Sequence, residues 1–452
     1  MPSPAPQAPG AVPVLGHVIP FARDPLRFLS TLPVYGDLVR IRVGPFHTAV
    51  ACTPELTHEM LLNERAFDKG GPMFERLREV LGNSLGMCPH RAHRRQRRLT
   101  QPAFHRDRIE RYAHAMTEQI SAGIAGWQDG QVIDALAAMY GIAGRVAVAT
   151  MFSSLPPSVN VEEMTDDSVV VNVGAFRQVF MPPSIKKLPV LGNRRHQISR
   201  DRLRRSINEI IAHHRKSGED QGDLLSVLLS SRIPATPGAG CPVAPEDGLS
   251  DSEISDQVVG FFISGMETTA LVLTWALYLL ARHPSVQTAV QAEVDGAVSG
   301  PRTSLDDVSR LPLIGRVVAE TLRLYPPGWL FTRTVTENTF LGGHRVTVGD
   351  TVAYSPYVLQ RDPVAYPEPE RFDPCRWEGR ERIHMPRDSF VPFGAGARKC
   401  IGDTFGTIEA TLAIAAICSR WQLDLVPGFQ VATRTAITLS PKEMPLRITR
   451  RG

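Results

Sequence analysis

Cysteine is sparse and scattered. Six residues, at 52, 88, 241, 375, 400 and 418, form no CxxC pair and no zinc-finger spacing. That pattern argues against a disulfide scaffold and a structural zinc site, and it fits a reducing cytoplasm. Excess charge of one sign is missing too. With 50 Lys and Arg against 46 Asp and Glu, the formal net charge is +4, too little over 452 residues to imply nucleic acid. No internal repeat and no heptad pattern is visible. The opening run "MPSPAPQAPGAVPVLGHVIPF" lacks the basic region and continuous apolar stretch of a signal peptide or anchor. Only Val258 to Ala281 is long and apolar enough to raise the membrane question, and it carries Glu267 and a threonine pair at its centre. Such groups are expensive in lipid but natural in a helix crossing a protein interior, so a buried helix without a transmembrane anchor is expected.

What is present belongs to an ordered protein, with an apolar fraction of 43% and a charged fraction of 21%. Helical periodicity dominates: Phe74–Val80, Arg106–Trp127, Asp134–Met151, Asp201–Lys216, Asp223–Ser230, Ser250–Ala281, Pro284–Gly296, Leu311–Leu324 and Thr404–Trp421. Strand-like runs lie near the two ends, "LVRIRVG" and "TAVACT" early, then "HRVTVGDTVAYS", "VATRTAITLS" and "PLRITR" late, with a hairpin turn expected at Gly342-Gly343. The Pro, Ala and Gly-rich segment from Arg232 reads as an exposed loop. Neither end holds enough strands for a stable sheet, so early and late strands are expected to pair within one domain, 21–452, carrying a proline-rich arm, 1–20. The fold class is therefore mainly α with small β-sheets.

The stretch "FGAGARKCIG", Phe393 to Gly402, holds Cys400 between small residues, with helical sequence directly after it. A sulfur near a helix N-terminus is favoured as thiolate, which makes it a nucleophile or a metal ligand rather than a plain buried thiol. A nucleophile needs a nearby base, and His384 is a weak lead. A ligand needs room for a flat cofactor, which Gly394 and Gly396 provide, and a cation for its carboxylates, which Arg398 provides.

This stretch resembles the haem-binding signature of the cytochrome P450 superfamily, F-x-x-G-x-R-x-C-x-G, at every specified position. "ETLR" (Glu320 to Arg323) and "PERF" (Pro369 to Phe372) resemble the family's buried triad, implying Glu320, Arg323 and Arg371 as its members. "SGMETT" (Ser264 to Thr269) resembles the oxygen-binding groove, with Gly265 giving close approach and Glu267 and Thr268 a proton relay; Ser264 stands where Ala or Gly is usual. "HRAHRRQRRLTQPAFH" resembles the propionate-binding helix, with His93 in the place of a Trp and Arg97 four residues on. Arg333 is a further implied propionate partner. Arg94, Arg95 and Arg98 are expected to face outward toward an acidic electron donor.

The resemblance implies haem b between the long central helix and the cysteine loop, with Cys400 as axial thiolate and Phe393, Arg398 and Gly402 around it. It also implies O2 as co-substrate and electrons ultimately from NAD(P)H. No flavin or ferredoxin region is evident, so a separate ferredoxin and ferredoxin reductase are implied, serving a monomer in the cytoplasm. Phe67, Phe176, Phe262, Met266, Trp329, Leu330, Phe331 and Ile437 line the pocket by family position, which favours a small hydrophobic substrate. Similarity to bacterial terpene-oxidising members points to a sesquiterpene such as pentalenene, hydroxylated or successively oxidised. The alternatives are a fatty acid, steroid or polyketide substrate, a peroxide-driven haem oxidase, or a haem redox or sensor protein without catalysis. Asp166-Asp167 lacks a third acid at DDxxD spacing, which argues against a second, terpene-cyclising activity.

Overall fold

The β-branched runs at opposite ends of the chain pair with one another. A computed structural model describes residues 5–179, 191–217, 220–231, 248–298, 303–379 and 388–452. The loop from Arg232, Cys241 and His384 fall outside them. The chain divides into two compact units, one made of Met1–Glu75, Ala319–Cys400 and Thr438–Ser440, the other of Arg76–Val318, Ile401–Ile437 and Pro441–Gly452.

In the first unit, β1 (Leu38–Val43) and β2 (Phe46–Ala51) form a hairpin with Leu38 opposite Ala51. Joined by β3 (Phe67–Asp68), β4 (Phe331–Val335) and β5 (Thr351–Tyr354), they make a five-stranded sheet ordered β1-β2-β5-β4-β3. The early and late strands meet where β2 runs parallel to β5, with Ala49 opposite Val352. Alternation puts Leu38, Val352 and Tyr354 into one apolar cluster and Val39, Ile41 and Ala353 into another, so both faces of the sheet are covered. The proline-rich arm runs along β1: the Ala8 N–H donates to the Arg40 carbonyl and the Arg40 N–H to that of Pro6. Gly342 and Gly343, at φ +55° and +81°, turn a hairpin between Thr339–Leu341 and His344–Val346, the left-handed pair such a two-residue turn requires.

The second unit is built around the helix Asp251–Arg282, the central helix. Ser250 starts it with a capping box: its hydroxyl accepts from the Glu253 N–H while the Glu253 carboxylate accepts from the Ser250 N–H. By length and composition this helix could cross a membrane, yet 78% of its most apolar window is buried inside the protein. The helix Ala135–Met151 packs along it, and Arg106–Ile124 packs on that helix in turn. A three-stranded sheet of Val132–Asp134, Pro445–Arg450 and Trp421–Leu425 closes one side. The Gln287 amide holds it to the helix Pro284–Ala297, accepting from the Leu423 N–H at 2.7 Å and donating to its carbonyl at 2.9 Å.

The periodicity missed the helix Val161–Val179 and the first ten residues of Leu191–Ser217. Valines 169 to 171 and 173 favour extended structure locally, and what starts the former helix is the Asn160 side chain, which accepts from the Glu162 and Glu163 N–H groups.

Candidate functional site

The segment Val391–Gly402 folds into a tight loop because two glycines take left-handed backbone, Gly394 at φ +68° and Gly396 at +65°. A Cβ at Gly396 would strike the Leu61 carbonyl oxygen, so no other residue fits there. The loop closes where the Cys400 N–H donates to the Phe393 carbonyl at 2.9 Å, and Gly402 then caps the helix Asp403–Cys418. Cys400 is exposed, whereas Cys52 and Cys418 are buried and burial pushes their thiols up to about 12. Cys375 is also exposed, but it lies in a short helical turn. Among these, only Cys400 combines access with a glycine frame.

Two arginines lie in the same unit. Arg398 is buried and its Nη2 donates to Asp68 at 2.7 Å, with Glu64 3.6 Å from its Nε. Arg333, on β4, is equally buried, but among the described residues no carboxylate lies within ion-pair distance of it. It donates to the Thr332 carbonyl and lies over the Tyr354 ring, and its desolvation pulls its pKa down. A buried guanidinium so placed favours an anionic ligand.

On the central helix, Ser264 and Thr268 are exposed one turn apart, with half-buried Gly265 beside them. A Cβ at Gly265 would meet nothing within 4 Å. The Thr268 hydroxyl donates to the Ser264 carbonyl at 2.7 Å, the back-bond common to helical threonines, which leaves its lone pairs free to accept. Glu267 is buried, as are Phe262 and Met266.

Glu409, nine residues past Cys400, was not singled out in the sequence, where it sits in an apolar run. It is fully buried, hydrogen-bonded to Thr269, and desolvation raises its pKa well above the usual carboxylate value. Among the described residues its Oε1 has no hydrogen-bond partner. In the pH range between the unfolded and folded pKa values the unfolded chain loses this proton while the folded protein keeps it, so stability falls as pH rises. Glu409→Gln keeps the shape without that linkage. Its stability should approach wild type below pH ~4.3 and exceed it increasingly as pH rises from there, by at most about 1.4 kcal/mol per pH unit, as thermal or denaturant unfolding over pH would show. A difference that stayed constant over pH would show that Glu409 is ionised in the fold.

The triad needs one correction. Arg323 is wholly buried and meets Glu320 through Nε and Nη2, both at 2.8 Å, while its Nη1 donates to the Gln360 and Pro369 carbonyls. The third cation is Arg376, whose Nε reaches Glu320 at 3.1 Å. The Arg371 side chain is exposed and pairs with Glu368; it contributes only its carbonyl, which accepts from Arg323. Glu320 is further held by the Trp377 indole N–H and the Asp373 N–H. That indole was the available signal: a Trp beside an Arg five residues past the expected one brings a donor that needs a buried acceptor.

On the helix His90–Thr100, His93 is buried and Arg97 half-buried on the same face, while Arg91, Arg94 and Arg98 are exposed. Arg95 does not point to a partner protein: it pairs with Glu253 at 2.7 Å. The expected pocket residues separate. Phe67, Phe262, Met266 and Trp329 are 0–2% exposed and pack in cores, Trp329 among Leu26, Leu29 and Val39. Phe176, Leu330, Phe331 and Ile437 stay partly open, with Phe331 stacked on Tyr354.

Comparison with known proteins fits this arrangement. The family described as Cytochrome P450 matches residues 6–446. The chain belongs to the cytochrome P450 family. It is 42% identical to pentalenene oxygenase of Streptomyces avermitilis, over 98% of this chain and 97% of that protein. It is also 42% identical to cyclooctatin synthase of Streptomyces melanosporofaciens, over 98% and 94%, and to cyclooctat-9-en-7-ol 5-monooxygenase of the same organism, over 93% and 90%. The crystal structure of cytochrome P450DA heme domain superposes with a TM-score of 0.87 at 24% identity, covering 100% of this chain and 98% of that one, a likeness of fold.

A cytochrome P450 is an O2-dependent monooxygenase carrying haem b on a cysteine thiolate. The residues of this P450 fit that group. Cys400 is an accessible soft donor, and Arg333 is a buried cation paired with no carboxylate among the described residues, a counterpart that a haem propionate would supply. Arg398 fits less simply, since Asp68 already engages it.

Proposed function

We propose that this P450 oxidises a cyclic terpene hydrocarbon or alcohol of the pentalenene kind, using electrons from a ferredoxin and its reductase. The observation that carries the substrate class is the 42% identity, over nearly whole chains, to relatives named for pentalenene and cyclooctat-9-en-7-ol. The exposed Arg91, Arg94 and Arg98 support an acidic electron donor.

In this reading Cys400 would hold haem through its sulfur, and Arg333, Arg398, His93 and Arg97 would serve its carboxylates. When bound, that group activates O2 so that one oxygen atom enters a C–H bond and the other leaves as water, with two electrons and two protons consumed. The chain's part is position and protons. The Thr268 hydroxyl presents an acceptor at the exposed notch beside Gly265, and Glu267 supplies the proton behind it. The expected pocket residues that stay partly open, Phe176, Leu330, Phe331 and Ile437, are all apolar, which suits a hydrocarbon.

The test is product formed per NAD(P)H consumed, with ferredoxin and reductase present, on cyclic terpenes against fatty acids and steroids. Terpenes should couple best; preference for a fatty acid or steroid would overturn the substrate class, and better turnover with peroxide alone would overturn the electron route. Thr268→Ala should bind substrate within roughly a few-fold of wild type yet divert electrons to hydrogen peroxide. Retained coupling would remove Thr268 from proton delivery.

A further inference from the structure

The central helix is buried along most of its length, yet one turn of its surface is bare. Toward its N-terminus a Cβ at Gly260 would strike the Ser84 side chain, and the Phe261 ring lies edge-on to that of Phe104, centroids 5.4 Å apart. Toward its C-terminus Thr269 is buried, and a Cβ at Gly406, on the helix Asp403–Cys418, would lie 3.8 Å from its hydroxyl oxygen. Between these contacts sit exposed Ser264, half-buried Gly265 and exposed Thr268, the notch given above to the oxygen chemistry.

The two hydroxyls at the notch differ. Thr268 is tied to its own helix, donating to the Ser264 carbonyl at 2.7 Å, as Thr274 does to that of Ala270 at 2.7 Å. Ser264 makes no such back-bond: among the described residues its hydroxyl has no hydrogen-bond partner, so its donor and its acceptor sites are open to whatever fills the notch. Water satisfies such a group while the notch is open. A hydrocarbon seated there displaces that water and returns no hydrogen bond, whereas a molecule carrying a hydroxyl replaces it. The bare turn exposes no charged side chain, so a neutral oxygen suits it better than a carboxylate.

We propose that Ser264 is a specificity residue that seats an oxygen already present on the substrate, so that a terpene alcohol is preferred over its parent hydrocarbon. This rests on the monooxygenase reading above and narrows its substrate class. Ser264 takes no part in bond making; it donates to, or accepts from, the substrate hydroxyl and thereby fixes which part of the carbon skeleton faces the oxidant. The reaction that supplies this substrate is then one that has already installed a hydroxyl. A product hydroxylated in a first turnover is likewise a ligand for a second.

Ser264→Ala removes one hydroxyl from an exposed helical position and breaks no hydrogen bond within the chain, so it is expected to fold; Ser264→Gly makes the same loss and leaves more room. The measurement is the dissociation constant, by calorimetry on the resting haem-loaded protein, of matched pairs that share a carbon skeleton: a cyclic sesquiterpene hydrocarbon with its monohydroxy derivative, and a long-chain alkane with its alcohol. Wild type should bind the terpene alcohol more tightly than the hydrocarbon. Both variants should shrink that preference by roughly five- to tenfold, the worth of one neutral hydrogen bond, by weakening the alcohol and sparing the hydrocarbon. A preference unchanged in both variants overturns the proposal, and so does wild-type binding of the hydrocarbon at least as tightly as the alcohol. A loss shared equally by alcohol and hydrocarbon marks a packing effect and overturns it as well. If only the alkane and its alcohol bind, and the preference between them falls in Ser264→Ala, the role of Ser264 stands and the terpene reading is what fails.

Discussion

Arg323→Ala should prevent the protein from accumulating in a folded, haem-loaded form. Its guanidinium is 0% exposed, and so is its partner Glu320. Removing the arginine strands a buried carboxylate whose remaining cation is Arg376, and it empties the donors that fasten the Gln360, Pro369 and Arg371 carbonyls. Breaking a buried pair by taking one member costs about 3–5 kcal/mol, a large part of the stability of an ordinary domain. The neighbours grade the effect. Arg376→Ala should lower the thermal midpoint and haem content less severely, since Arg323 still holds Glu320, and Arg371→Ala should leave both unchanged, because that side chain pairs only at the surface. Soluble yield, thermal midpoint and haem-to-protein ratio, measured on the three variants together, check the order. Equal losses from Arg371→Ala and Arg376→Ala would contradict the reassignment.

That reassignment marks where the sequence stops being readable. Glu320 and Arg323 were legible because three-residue spacing places them on one helix face. Their third partner is set by the path of an irregular segment, and no periodicity records that the chain carries Arg376 rather than Arg371 back to Glu320. The cysteine loop was legible for the opposite reason: its backbone needs glycine at fixed places, so Gly394, Gly396 and Cys400 write the geometry into the sequence. Trp329 and Phe67 were placed in the pocket by family position, and their aromatic character gave no warning, because an aromatic residue looks the same in a core as in a binding site and only packing tells them apart. Glu409 was silent because a lone acid in an apolar run acquires meaning only from what lies across from it.

Cys400→Ser should remove all monooxygenase activity while leaving much of the fold. The substitution nearly preserves shape at an exposed position, so little packing is lost, and the buried Cys52, Cys88 and Cys418 are untouched. What changes is the donor: a hydroxyl is a harder and far less acidic group than a thiol, and it does not supply the electron density that a thiolate ligand gives to haem iron. The Arg333 cation should still favour the propionates, so some haem is expected to bind with altered ligation rather than be absent.

The most direct measurement is therefore the absorbance of the reduced protein under carbon monoxide, which reports whether a thiolate ligates the haem iron. Wild type and Cys375→Ser, the other exposed cysteine among the described residues, should both show the thiolate band, and Cys400→Ser should lack it. An intact thiolate band in Cys400→Ser would contradict the assignment of the haem ligand on which the whole account stands.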